Sequence, residues 1–489
     1  MSASVIEGLS PVLVWKRFFE ISQIPRPSKS EERIRLYLRN LAGQNNFLMK
    51  EDNVGNIVIQ IPPKPSFEKS PVVVLQSHID MVCEKNKETV HDFTKDPIKL
   101  IRDGEWIKAD GTTLGADNGI GAAAALAIAQ DDSFDHGALE LLFTVDEETG
   151  LTGANNLQKG FITGKMLLNL DTEEDGAFYV GCAGGMDSVG TFKIEYDKVR
   201  NGYIPFNIFI AGLKGGHSGI NISDGRANAI KVLGQLLSKL DQFNPQLAFI
   251  SGGSKRNAIP REAEAVIFMH PEYEAKVRES INEFAIETSL EYRSKDGEIK
   301  ITVERIEDAE KLYQKTYSKN FAERVINTIL AMPHGVAAMS PEIPDLVETS
   351  TNLATIVVEG DELKIGTSQR SSVESAKKNI AKSVKAVFDL AGAYVTVGDG
   401  YPGWQPDMNS QLLNLSKRVF NNLFGRKPLI KAVHAGLECG ILADKYPGLE
   451  MVSFGPTIEG AHSPDERIKI VDVDKFYCLL KDILTEIAK

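Results

Sequence analysis

The chain has 489 residues, with 55 Lys and Arg against 67 Asp and Glu, a formal net charge of −12. That length is too great for one hydrophobic core and predicts two or three domains; the 42% hydrophobic, 25% charged composition is that of a globular protein. The acidic balance argues against nucleic acid or an anionic membrane as partner, since each wants a basic face.

Residues 1–22, MSASVIEGLSPVLVWKRFFEIS, lack a basic segment ahead of an apolar run and read as an amphipathic helix, not a secretion signal. The longest apolar run, IGAAAALAIA at 120–129, falls well short of the roughly 18 residues of a membrane span and reads as a tightly packed buried helix. Cys83, Cys182, Cys439 and Cys478 lie far apart with no C-x-x-C, as expected of reduced thiols in a cytoplasmic protein.

Residues 1–187 alternate strand-like and helix-like segments, predicting an α/β domain with a mostly parallel sheet. Its clearest strands, PVVVLQS, LELLFTV and KMLLNLD, carry apolar runs, as expected of strands covered on both faces. The first runs on as PVVVLQSHIDMVCE and ends in His78 and Asp80. Alone, that pair is better read as a satisfied core histidine with a turn aspartate. TTLGADNGIGAAAA then places Asp117 in a glycine-flanked loop before a helix, LELLFTVDEETGLTG ends in Asp146, Glu147 and Glu148, and KMLLNLDTEEDG ends in Asp171. Glu173, Glu174 and Asp175 read as solvated turn residues.

Residues 188–395 change texture. Two-sided strands such as VGTFKIEY and IPFNIFIAG alternate with polar helices such as DGRANAIKVLGQLLSKL, predicting an inserted α+β domain with one solvated sheet face. Residues 396–489 return to buried-type strands and are expected to complete the first domain's sheet, with His462 following the strand in EMVSFGPTIEGAHSPDE. GDGYPG at 398–403 fits G-x-G-x-x-G, but Pro402 and Pro406 oppose the helix that a dinucleotide fingerprint must open, and no acidic residue follows about 20 positions on. No phosphate-cradle or G-x-S-x-G motif is present.

In open α/β sheets, sites lie outside the carboxyl ends of the strands. Five segments are therefore expected to deliver His78, Asp117, Glu147 with Glu148, Asp171 and His462 to one sheet edge. Carboxylates crowded there repel unless a cation intervenes, and two histidines with several carboxylates and no cysteine suit zinc, with cobalt or manganese as substitutes. Three ligand carboxylates leave two divalent ions one positive charge, enough for one hydroxide, and bimetallic hydrolases hold their ions about 3.5–4 Å apart, within the span of one carboxylate. Asp117 is the natural bridge. Asp80 can accept the second ring N–H of His78 and fix its tautomer. Neighbouring side chains diverge, so of Glu147 and Glu148 one is expected to ligate and the other to move protons.

Across nearly the whole chain, HIDMV, GADNGIG, DEETGLTGA, NLDTEE, GLKGGHSG, RNAIPRE, YPGWQPD, HAGLECG and GPTIEGAHSPDE resemble the aminoacyl-histidine dipeptidases. These cytosolic non-specific dipeptidases belong to the dizinc superfamily that includes aminoacylases and carnosinases. The resemblance implies two zinc ions bridged by Asp117, with His78 and Asp171 completing one site, Glu148 and His462 the other, and Glu147 as general base. It implies a cis peptide at Asp117–Asn118. It also implies that the inserted domain is a lid, that His217 steadies the oxyanion, that Asn257 and Arg370 hold substrate, and that the protein is a homodimer acting on free dipeptides. The nearest alternative on the same scaffold is an N-acyl amino acid deacylase; a more distant one is a non-catalytic scaffold.

Overall fold

The computed structural model describes residues 3–307 and 313–489, which divide into two compact units. The first comprises Met1–Gly181, Trp404–Ala432 and Leu437–Lys489. The second comprises Cys182–Gly403 and a short return, Val433–Gly436.

The first unit is an α/β domain. Edge to edge, its sheet runs Leu48–Glu51, Ile57–Ile61, Leu139–Thr144, Val73–His78, Met166–Asn169, Glu450–Ser453, Ala177–Cys182 and Leu429–Val433. The four central strands from Leu139–Thr144 to Glu450–Ser453 are parallel, and antiparallel partners flank them. Every residue of Val73–His78 and Leu139–Thr144 is buried, which is why those segments are apolar runs without alternation. The helix Ala116–Ile128 lies against Val73–His78 and against the amphipathic helix Val12–Ser22. Its small residues allow that close approach. At Gly121 any Cβ would run into the Asn118 side chain and the Leu170 carbonyl, the residue before Asp171.

A smaller antiparallel sheet, Ile458–Glu459, Arg467–Lys469, Trp106–Ala109 and Leu100–Asp103, belongs to the same unit. His462 therefore does not sit at the end of a main-sheet strand, as its sequence position suggested. After Glu450–Ser453 the chain leaves that sheet and turns back in a hairpin, with Gly460 and His462 both at positive φ. The hairpin's return strand pairs with Trp106–Ala109, just upstream of the Asp117 loop.

The second unit has an antiparallel sheet. Along its main path, among the described residues, it runs Lys300–Arg305, Ile204–Ala211, Ala263–Met269, Gln246–Gly252, Val347–Glu359, Glu362–Ser371, Gly184–Lys193 and Tyr394–Val397. Inward residues such as Phe206 and Ile208 pack with Leu233, Leu236, Phe321 and Phe388 from the helices. One strand pair is buried yet polar: Thr349, Ser350 and Thr351 stand opposite Ser371, Arg370 and Gln369.

Candidate metal centre

His78 ends the central strand of the first unit with its ring 1% exposed. Its Nε2 lies 3.0 Å from Oδ1 of Asp117 and 3.4 Å from Oδ1 of Asp171. Asp117 turns its other oxygen to His462, whose Nε2 is 3.0 Å from Oδ2 and 3.0 Å from Oε2 of Glu148. Two ligand sets result, His78 with Asp117 and Asp171, and Asp117 with Glu148 and His462; within each, the candidate ligand atoms lie within 4.8 Å of one another. Asp117 is common to both. The Asp117–Asn118 peptide is cis.

Glu147 and Glu148 follow Asp146, which adopts a left-handed conformation after the buried strand Leu139–Thr144. Glu148 reaches His462, whereas Glu147 makes no ion pair among the described residues and lies near His78 in the overlapping group of His78, Glu147 and Glu148. Asp80 sits beneath this turn. Its oxygens accept the amides of Glu147 at 3.1 Å and Glu148 at 3.2 Å, together with the Ser28 hydroxyl at 2.8 Å.

The charges do not balance among these residues. Burial opposes the imidazolium of His78, yet Asp171 and Asp117 hold it well above its ordinary value. Hydrogen bonds to Asp117 and Glu148 push His462 up to about 11. Despite burial, Asp117 is held far below the carboxylate range by the two rings. Burial, with neighbouring charge, pushes Asp171 up to about 6 and Glu147 well above its ordinary value. Two rings thus face more carboxylate than they can neutralise. Among the described residues Glu148 Oε1 is, moreover, buried without a hydrogen bond, and Asp171 Oδ1 has only the distant His78 ring, 3.4 Å away and outside hydrogen-bond alignment. Buried carboxylate oxygens left without donors are costly, and a cation of the kind this His and carboxylate set prefers satisfies them.

Several supporting groups were not foreseen from the sequence. Arg26, 2% exposed, donates to the carbonyls of Ile79, Asp80 and Gly115 and so ties the His78 strand end to the Asp117 loop. Gly115 and Gly119 leave room for that guanidinium, which a Cβ at either position would strike. A polar row crosses the sheet below the site: Glu438 accepts from Gln76 at 2.6 Å and Thr144 at 2.7 Å, Gln76 accepts from Asn169, and Asn169 accepts from Ser453. Of the three acids after Asp171, Glu174 pairs with Lys431 and Asp175 with Arg426 and Lys475. Glu173 instead joins the acidic cluster, raised to about 8 by burial and the Asp117 charge. The partners of these residues lie far away in the chain or are backbone groups, and no spacing in the sequence announces them.

The remaining candidates, His217, Asn257 and Arg370, gather within the second unit around Ser218. The Ser218 amide donates to the Asn257 carbonyl at 2.9 Å, and Arg370 Nε donates to the Ser218 hydroxyl at 3.3 Å. Arg370 Nη1 also donates to Tyr401 Oη at 2.7 Å, so GDGYPG supplies a tyrosine, not a phosphate loop. His217 Nδ1 accepts the amides of Gly219 and Ile220, which leaves Nε2 as the protonated nitrogen. Burial and the Arg370 charge push this ring down, toward its neutral form.

Comparison with known proteins adds four findings. The model of peptidase family M20/M25/M40 matches residues 74–486. The cytosol non-specific dipeptidase of Escherichia coli is 40% identical over 486 residues, covering 99% of each chain. The crystal structure of aminoacylhistidine dipeptidase from Vibrio alginolyticus superposes with a TM-score of 0.91 at 40% identity over 98% of each chain. An aminopeptidase from Bacillus cereus, 17% identical with a TM-score of 0.57 over 98% of this chain and 100% of its own, shares the fold.

Proposed function

The chain belongs to peptidase family M20/M25/M40, and on that premise we propose that it is a dinuclear zinc dipeptidase in which Glu147 moves the protons. It is a peptide-bond hydrolase, and dipeptides are its substrate class. The observation that carries the dinuclear reading is the division of Asp117, one oxygen facing His78 and the other His462. His78, Asp117 and Asp171 would hold one ion, and Asp117, Glu148 and His462 the other. Bound there, the ions supply Lewis-acid polarisation of the scissile carbonyl and acidify water.

The protein's own groups do the rest. A Glu147 carboxylate oxygen takes the proton of the attacking water and returns it to the departing amide nitrogen. Asp80 holds the His78 ring and the Glu147–Glu148 turn in register. In this reading the second unit serves as a lid. Its His217 donates from Nε2 to the developing oxyanion, and Asn257 and Arg370 hold the substrate, with the Arg370 fork matching a free C-terminal carboxylate. The fixed tautomer of His217 supports that role. A homodimer and a cytoplasmic location complete the proposal. The first rests on the family resemblance, the second on the cytosolic name of the Escherichia coli relative.

The deciding experiment compares free dipeptides such as Ala-His, Cys-Gly and β-Ala-His with N-acetyl-Ala and Ala-Ala-Ala. Cleavage confined to the free dipeptides is expected. Cleavage of only the acetylated compound would replace this reading with a deacylase.

A further inference from the structure

Glu466 lies four residues after His462, on the hairpin that carries that ring, and is 2% exposed. Its carboxylate accepts four successive backbone amides from the loop that carries Asp117. Oε2 takes Leu114 N at 2.7 Å and Gly115 N at 2.9 Å, while Oε1 takes Ala116 N at 2.7 Å and Asp117 N at 3.2 Å. Four donors occupy all the acceptor positions that two carboxylate oxygens offer. The left-handed conformation of Gly115, at φ +68°, lets consecutive amides converge on one group.

This clasp joins segments some 350 positions apart in the chain. On one side is the loop whose last amide belongs to Asp117, the carboxylate shared by both ligand sets. On the other is the turn bearing His462, whose side chain is 54% exposed and so has little packing of its own to hold it. His78 has a separate anchor in Asp80, and the strand it ends is wholly buried. The two ligand sets are therefore supported unequally.

We propose that Glu466 is a positioning residue for the metal pair, fixing the Asp117 loop and the His462 turn against each other so that the Asp117–Glu148–His462 set is formed before an ion arrives. The proposal rests on the metal reading above. It assigns Glu466 no contact with substrate or metal. The side chain acts through the backbone that carries the ligands.

The test is metal binding, measured on metal-free protein by competition with a chromogenic zinc chelator, for wild type, Glu466→Gln and Glu459→Gln. Glutamine keeps the size but offers a single acceptor oxygen, and its NH2 would face two N–H donors. Glu459 pairs with Arg467 on the same hairpin and, among the described residues, has no hydrogen bond to the Asp117 loop, so its substitution controls for general loosening of that turn. Expected is a wild type that takes up two ions and a Glu466→Gln protein in which one of them binds about 10–100-fold more weakly, the usual effect of losing a group that orients a ligand. Glu459→Gln should match wild type. If Glu466→Gln does not fold, Glu466→Asp, which keeps the charge but shortens the reach, should show a smaller loss of the same ion. A Glu466→Gln isotherm identical to wild type, or an equal loss in Glu459→Gln, overturns the proposal alone. A wild type that takes up no metal overturns the metal reading and this proposal together.

Discussion

Asp80 Oδ1 lies 3.3 Å from Nδ1 of His78, within ion-pair distance but outside hydrogen-bond alignment, while the same carboxylate is held by the amides of Glu147 and Glu148. One fully buried side chain thereby relates His78 at the end of one strand to the acid pair after the next. Burial alone would raise its pKa, but the His78 ring, the Ser28 hydroxyl and the Glu147 amide hold Asp80 down at about 2. Asp80→Asn places an NH2 group where acceptor oxygens are needed. Metal affinity and kcat/KM should both fall by about 10–100-fold, read by chelator competition and steady-state kinetics. Unchanged values would remove Asp80 from the orienting role.

Glu147 and Glu148 are adjacent but not equivalent, since Glu148 meets His462 and Glu147 does not. Glu147→Gln should therefore retain both ions while kcat on a free dipeptide falls by roughly 10²–10⁴-fold, the usual worth of a positioned general base. Glu148→Gln should instead lose metal. Metal analysis beside kinetics distinguishes the two, and a fully active Glu147→Gln enzyme would contradict the base assignment.

The raised histidines predict a proton count. His462 is pushed up to about 11 and His78 well above its ordinary value, so the metal-free protein favours the protonated form of both rings. Ligation needs their neutral forms. Loading should release on the order of two protons per chain from the rings, and apparent affinity should weaken as pH falls, since protons compete for the same nitrogens. Titration in weakly buffered solution with a pH indicator checks this. Uptake with no proton release would mean that the rings do not ligate.

Arg370 is held by Tyr401 and Ser218 within the second unit. If it reads the substrate carboxylate, Arg370→Met should raise KM about 10–100-fold, the worth of a charged hydrogen bond, with a smaller change in kcat. Tyr401→Phe removes one acceptor and should shift KM in the same direction by less. An effect on kcat alone would argue for a different role.

Much of the first unit is legible because its central strands are covered on both faces and so read as apolar runs. A titratable residue at the end of such a run has no packing reason to be there, which is why His78, Asp171 and the Glu147–Glu148 pair stand out in the sequence. The sequence left open which of those two glutamates would face a ligand partner, because that depends on the left-handed turn at Asp146. His462 lies on a different sheet from the one its sequence position suggests, because a two-residue strand after Pro456 carries almost no pattern. Glu466 and Arg26 were missed for a different reason. Their partners are backbone amides and carbonyls of distant segments, which any residue type could supply, so nothing in the composition of those segments marks the contact. Glu173 reads like its neighbours in TEED, and only burial separates it from them.

The central claim is that two ions held around Asp117 make this chain a dipeptidase. Its most direct measurement strips the protein of metal and titrates zinc back while following hydrolysis of Ala-His. The account predicts negligible activity without metal and full recovery as the second equivalent per chain is bound. Undiminished hydrolysis by metal-free protein, or recovery complete at one equivalent, would contradict it.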